Sequence, residues 1–103
     1  MASSKDFLNY ILEQLSYIDE ISYRAMMGEY ILYCKGKIFG GIYDNRLLIK
    51  PVKSAVEFMH DAPYELPYDG AKEMILVENT DDKEFLSKLV NAILSELPAP
   101  KKK

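Results

Sequence analysis

The spacing of apolar residues changes twice along the chain. From Phe7 through Leu8, Ile11, Leu12 and Leu15 they recur at helical intervals, which predicts a helix with one inward stripe. Ser3 is the expected N-cap, and Asp6 three residues later sits where a helix dipole favours negative charge. The same period returns near Asp81 and runs through Phe85, Leu86, Leu89, Val90, Ile93, Leu94 and Leu97. Glu84 stands in the capping-box position, and Pro98 and Pro100 stop the helix.

Between the helices the pattern shortens to that of strands. Ile21–Met27, Glu29–Cys34, Lys37–Tyr43 and Arg46–Lys50 are predicted strands, with Gly28 as a break after the first. Lys35-Gly36 suits a two-residue hairpin turn, and Asp44-Asn45 supplies residue types that tolerate left-handed backbone. Val52–Met59 is expected to form a short helix, His60–Gly70 a loop punctuated by Pro63 and Pro67, and Glu73–Glu78 a last strand. The order predicts an α+β fold: two layers, an antiparallel sheet of about five strands, with the N- and C-terminal helices packed on one face.

Two-residue turns imply a register in which Leu32 faces Phe39, Tyr30 faces Gly41 and Gly41 faces Leu48. One sheet face then carries Ile31, Tyr33, Ile38, Ile42, Leu47 and Ile49, and is expected to lie under the helices. The other carries Tyr30, Leu32, Phe39, Tyr43 and Leu48, edged by Lys37, Arg46 and Lys50. That mixture suits a partner surface, or else a face covered by the Pro-rich loop or the short middle helix. A slip of one residue would exchange the faces.

With 103 residues the chain has room for one core. The expected domain is 1–97, followed by a disordered Pro/Lys tail at 98–103. The balance of 49% hydrophobic and 28% charged residues is that of a globular protein. A lone Cys34 fits a reducing compartment. No run of residues is apolar enough for a signal peptide or a membrane span, so a cytoplasmic location is expected. The net charge of −3 counts against non-specific binding to a phosphate backbone.

Catalytic chemistry finds little foothold. Cys34 and His60 are the only residues of their kinds and lack a visible orienting third group or oxyanion hole. One Cys and one His show no metal-ligand spacing, and Asp81-Asp82 reads as helix-capping charge. Gly40-Gly41 lies inside a strand pattern without the helix, Lys and Ser/Thr of a phosphate loop, and marks a place of close backbone packing. No catalytic residue, metal or cofactor is expected.

Arg24, Met26, Gly28, Tyr30, Tyr33, Gly36, Phe39, Asp44, Leu48 and Lys50 follow one another in an ordered block. That block resembles the opening of the TfoX/Sxy family, bacterial regulators of natural competence. Met27 departs from the Phe usual there but keeps the apolar character. The resemblance covers nearly the whole chain and implies an antiparallel sheet backed by helices, close to secretion chaperones and YjbR-like proteins. Longer members carry a second, helical domain; this chain stops at Lys103, so the expectation is the N-terminal module alone.

The resemblance implies a non-enzymatic regulatory or interaction domain, acting in transcriptional regulation through contact with a protein partner or by self-association as a homodimer. Its expected surface is Arg24, Tyr30, Leu32, Phe39, Arg46, Leu48 and Lys50, with Met26, Gly28, Tyr33, Gly36 and Asp44 as family positions. The alternative is direct nucleic-acid binding through the same aromatic and basic face.

Overall fold

The computed structural model describes residues 3–98. The expected tail, with Lys101 to Lys103, lies outside the described residues apart from Pro98. The elements are α1 (Lys5–Gln14), β1 (Ile21–Met26), β2 (Glu29–Cys34), β3 (Lys37–Ile42), β4 (Leu47–Ile49), α2 (Lys53–Phe58), β5 (Tyr64–Glu65), β6 (Met74–Val77) and α3 (Lys83–Ile93). A 3-10 turn at Leu94–Glu96 ends α3.

The strands form one antiparallel sheet in the order β1-β2-β3-β4-β6-β5. Leu8, Ile11 and Leu15 of the first helical segment, Ala55 of α2, and Leu86, Leu89, Val90 and Ile93 of α3 share one core with the sheet. The α+β, two-layer expectation holds, with six strands where about five were expected. The sixth is β5, inside the stretch read as a loop: Tyr64 and Glu65 pair with Ile75 and Met74.

Turn chemistry explains the consecutive hairpins. Lys35-Gly36 has φ of 53° and 80°, and Asp44-Asn45 has 54° and 56°. Both residues of each turn are left-handed, the geometry that matches strand twist. Met27-Gly28, with φ of 52° and 85°, builds a third such turn where only a break was expected.

The helix starts differ in detail. The α1 cap is Ser4, whose Oγ accepts from the Phe7 amide at 3.0 Å, and not Ser3. Asp82 caps α3 by accepting from the Phe85 amide at 3.0 Å, which leaves Glu84 in the first turn and out of a capping box. Adjacent capping residues make either start satisfactory locally; tertiary contacts choose. Ser3 is taken by the sheet turns instead.

The main correction is to the sheet faces. Cys34 pairs with Lys37 and Tyr33 with Ile38 as a two-residue hairpin requires, but Leu32 pairs with Gly40 and Tyr30 with Ile42. Phe39 is the extra residue of a β-bulge, which changes the phase of β3 relative to β2. Leu32, Phe39, Ile42, Leu47 and Ile49 therefore all join the helix-side core, and Tyr30 packs against it. Ile31, Tyr33 and Ile38 turn to the outer face and are half-buried. The predicted pairing of Gly41 with Leu48 holds, so the β3–β4 half of the register was right. Gly41 itself faces Ile31, not Tyr30.

Candidate interaction surface

One row of the outer face runs across five strands, Arg24 beside Ile31, then Gly41, Leu48 and Leu76. Among the described residues no helix lies over this face, yet Leu48 is fully buried and outside the helix-side core. The chain from Pro63 onward folds back on this side of the sheet. Pro67 is buried, the Tyr68 ring sits 6.2 Å from that of Tyr43, and Pro67 and Tyr68 share a cleft wall with Ile38 and Tyr43. Tyr43 folds its ring over Gly41, where a Cβ would stand 2.6 Å from a ring carbon and 2.7 Å from the Tyr30 carbonyl oxygen. At Gly40 a Cβ would collide with the Leu48 carbonyl oxygen. Both glycines are thus required by close packing within the sheet, as expected of a strand glycine pair.

Arg46 holds this cover in place. Its Nη1 pairs with Glu65 Oε1 at 2.6 Å, Nη2 donates to the Leu66 carbonyl at 3.2 Å, and Nε donates to the Tyr43 carbonyl at 3.1 Å. All three guanidinium nitrogens are engaged inside the chain. Lys50 remains on the outer side, lining a cleft of about 450 Å³ with Ile38, Tyr43, Pro67, Tyr68 and Lys72. Burial, with Tyr68 and Glu29 nearby, pushes the Tyr43 phenol above its usual pKa.

The seven residues expected to form one exposed partner surface are therefore dispersed. Leu32 and Phe39 are fully buried in the helix-side core, and Tyr30 is partly buried on that same side, its ring 5.8 Å from Tyr23. Leu48 points outward but is covered, and Arg46 is a clamp. Arg24 and Lys50 keep the outer positions expected of them. The same dispersal removes the aromatic–basic platform on which nucleic-acid binding was to rest, since Tyr30 and Phe39 lie on the face opposite Lys50. Half-exposed Ile31, Tyr33 and Ile38 take the outer positions instead. The sequence concealed them because a bulge carries no local signature stronger than the Gly that follows Phe39.

The family positions have structural work. Met26 closes the β1–β2 hairpin against Glu29, Gly28 and Gly36 occupy left-handed turn positions, and Tyr33 pairs with Ile38. Asp44 turns the chain with its amide donating to Glu29 Oε1 at 3.1 Å.

The two residues considered for nucleophilic chemistry are separately engaged. The Cys34 thiol is buried, faces the Asp19 carbonyl oxygen at 3.5 Å, and has its pKa raised by burial. His60 is exposed and lies 3.3 Å from its neighbour Asp61. Among the described residues no three His, Cys, Asp or Glu side chains group as metal ligands. No helix among them is long and apolar enough to cross a membrane.

With this sheet and its motif positions in view, residues 13–95 match the TfoX N-terminal domain. The chain belongs to that family. The family is a non-enzymatic type of domain, of the kind found in competence regulators. The chain is also similar to an uncharacterized 12.7 kDa protein in the trpE 5′ region of Spirochaeta aurantia, at 29% identity over 102 residues, covering 98% of this chain and 89% of that protein. No solved structure matches.

Proposed function

We propose that this TfoX N-terminal domain is a non-enzymatic regulatory module of the cytoplasm that works through protein–protein contact, with transcriptional regulation as its setting. The observation that carries the proposal is the outer sheet face. Ile31, Tyr33 and Ile38 form a half-exposed apolar strip with no helix over it among the described residues, flanked by Arg24 and by the cleft that holds Lys50 and Lys72. An apolar centre with a charged rim is the composition of a protein-binding patch. The cleft also holds Glu73 and Glu96, so the rim carries both signs of charge and suits a partner with a mixed polar rim of its own.

The test compares affinity capture by the wild-type protein with capture by Ile31→Asp, after circular dichroism has shown the variant folded. A partner retained by the wild type and lost from the variant supports the proposal, and its identity reports whether transcription is involved. Equal capture by both proteins, or none by either, overturns the assignment of this face.

A further inference from the structure

β1 is the long free edge of the sheet, since it pairs only with β2. Ser22 through Met26 are all exposed, so neither the helices nor the outer cover overhang this strand. Its hydrogen-bonding phase follows from the turn. Met26 and Glu29 close a two-residue hairpin, which makes them a hydrogen-bonded pair, and the alternation carries this to Arg24 with Ile31 and Ser22 with Tyr33. The Lys35 amide donating to the Glu20 carbonyl at 3.0 Å continues the same phase. The N–H and C=O groups of Ile21, Tyr23 and Ala25 consequently point away from the sheet.

The geometry points to a second copy of this chain as the occupant of that edge, paired antiparallel through β1 about a two-fold axis at Ser22. In that register Ile21 of each copy exchanges backbone hydrogen bonds with Tyr23 of the other, using the groups that point outward. Arg24 of each copy comes beside Glu20 of the other, the residue with φ of 60° that leads into β1, so opposite charges meet twice by symmetry. Neither Arg24 nor Glu20 has a side-chain hydrogen bond or ion pair among the described residues. On the helix side, a groove of about 600 Å³ between Leu12, Leu15 and Ile18 and the β1 residues Ile21 and Tyr23 runs beside the strand. It offers room for the partner's Ile21 and Tyr23 side chains, which emerge on that side. The edge is thus complementary to itself in hydrogen bonding, charge and shape.

This edge meets the outer-face patch only at Arg24, and Tyr23→Pro on the edge and Ile31→Asp on the patch let the two assignments fail separately. The test is sedimentation equilibrium over a range of protein concentration. The wild type should move from 11.8 kDa toward twice that mass as concentration rises. Tyr23→Pro removes an outward N–H without touching a bond to β2, so it should stay folded and remain monomeric. Arg24→Glu and Glu20→Arg should each weaken association by about tenfold, and the double variant should recover most of the loss. A wild type that stays monomeric throughout overturns the proposal, as does a folded Tyr23→Pro that still dimerises. Two charge reversals that fail to rescue each other overturn the register. Should Tyr23→Pro not fold, Ala25→Pro applies the same test at the next outward N–H.

Discussion

The Ser3 hydroxyl donates to Glu29 Oε1 at 2.6 Å, tying the start of the described chain to the first residue of β2. The contact is the centre of a small network. Ser3 Oγ also accepts the Asn45 amide at 3.0 Å, and the Ser3 amide donates to the Gly28 carbonyl at 3.0 Å. Because Glu29 Oε1 takes the Asp44 amide as well, one serine and one carboxylate join the β1–β2 turn to the β3–β4 turn. Ser3 is buried, so its partners are difficult to replace with water. Ser3→Ala is expected to lose about 1–2 kcal/mol of stability. A denaturant double-mutant cycle with Glu29→Gln should show strong non-additivity, because both changes break the same network.

Leu48 and Ile31 stand on the outer face with Gly41 of β3 between them, but only Leu48 is fully buried. Leu48→Asp would bury a carboxylate without a partner, and should cost about 4 kcal/mol or more, enough to unfold a domain of this size. Ile31→Asp keeps its new carboxylate at the surface and should remain folded. Thermal unfolding of the two variants side by side checks the difference. Leu32→Asp belongs with Leu48→Asp, since Leu32 is fully buried in the core.

Met27 adopts φ of 52° in the first hairpin turn with its side chain 95% exposed. An unbranched apolar residue gains little there and pays for the left-handed backbone. Met27→Asn, or Met27→Gly, is expected to raise stability by about 0.5–1 kcal/mol. The readout is the denaturant midpoint at unchanged slope.

Glu96 caps α2 from a distance. Its Oε1 accepts the Ser54 amide at 2.8 Å and its Oε2 accepts the Ser54 hydroxyl at 2.6 Å, where Val52 supplies no side-chain cap. The Ser54 hydroxyl and amide, in that order, lower the carboxyl pKa below the usual glutamate value. A depressed folded-state pKa means the contact stabilises fully above the ordinary glutamate range and is lost as pH falls through the lowered value. Acidification should therefore loosen the start of α2 only below the pH at which a free glutamate protonates. Glu96→Gln should flatten that part of the stability–pH curve, measured as the melting temperature against pH.

Much of this fold was legible because it is written locally. The helical stripes, the two-residue turns at Lys35-Gly36 and Asp44-Asn45, and the strands of the meander all follow from spacing and turn chemistry. Features decided by distant neighbours were not legible. Phe39 and Ile38 are both acceptable core residues, so nothing beside them reveals which one β2 will leave unpaired. Ser3 and Ser4 cap equally well until Glu29 and Asn45 arrive. Arg46 reads as a free surface cation until Glu65 and Leu66 fold back onto it. The candidate surface was misplaced for the first and third of these reasons, while Arg24 and Lys50 kept the outer positions expected from alternation.

The three successive hairpins also set an order of assembly. Every strand from β1 to β4 meets its neighbour across a two-residue turn, so this meander closes with little loop entropy and in the order in which the ribosome releases it. β6 must instead find β4 across α2 and the Pro-rich segment, and α3, which supplies four of the buried core side chains, arrives after it. A nascent chain released only as far as α2 would display the unpaired edge of β4 and leave the undersides of Leu32, Phe39 and Ile42 without the cover of α3. The interval before α3 emerges is when this small domain is most exposed to aggregation and to proteases.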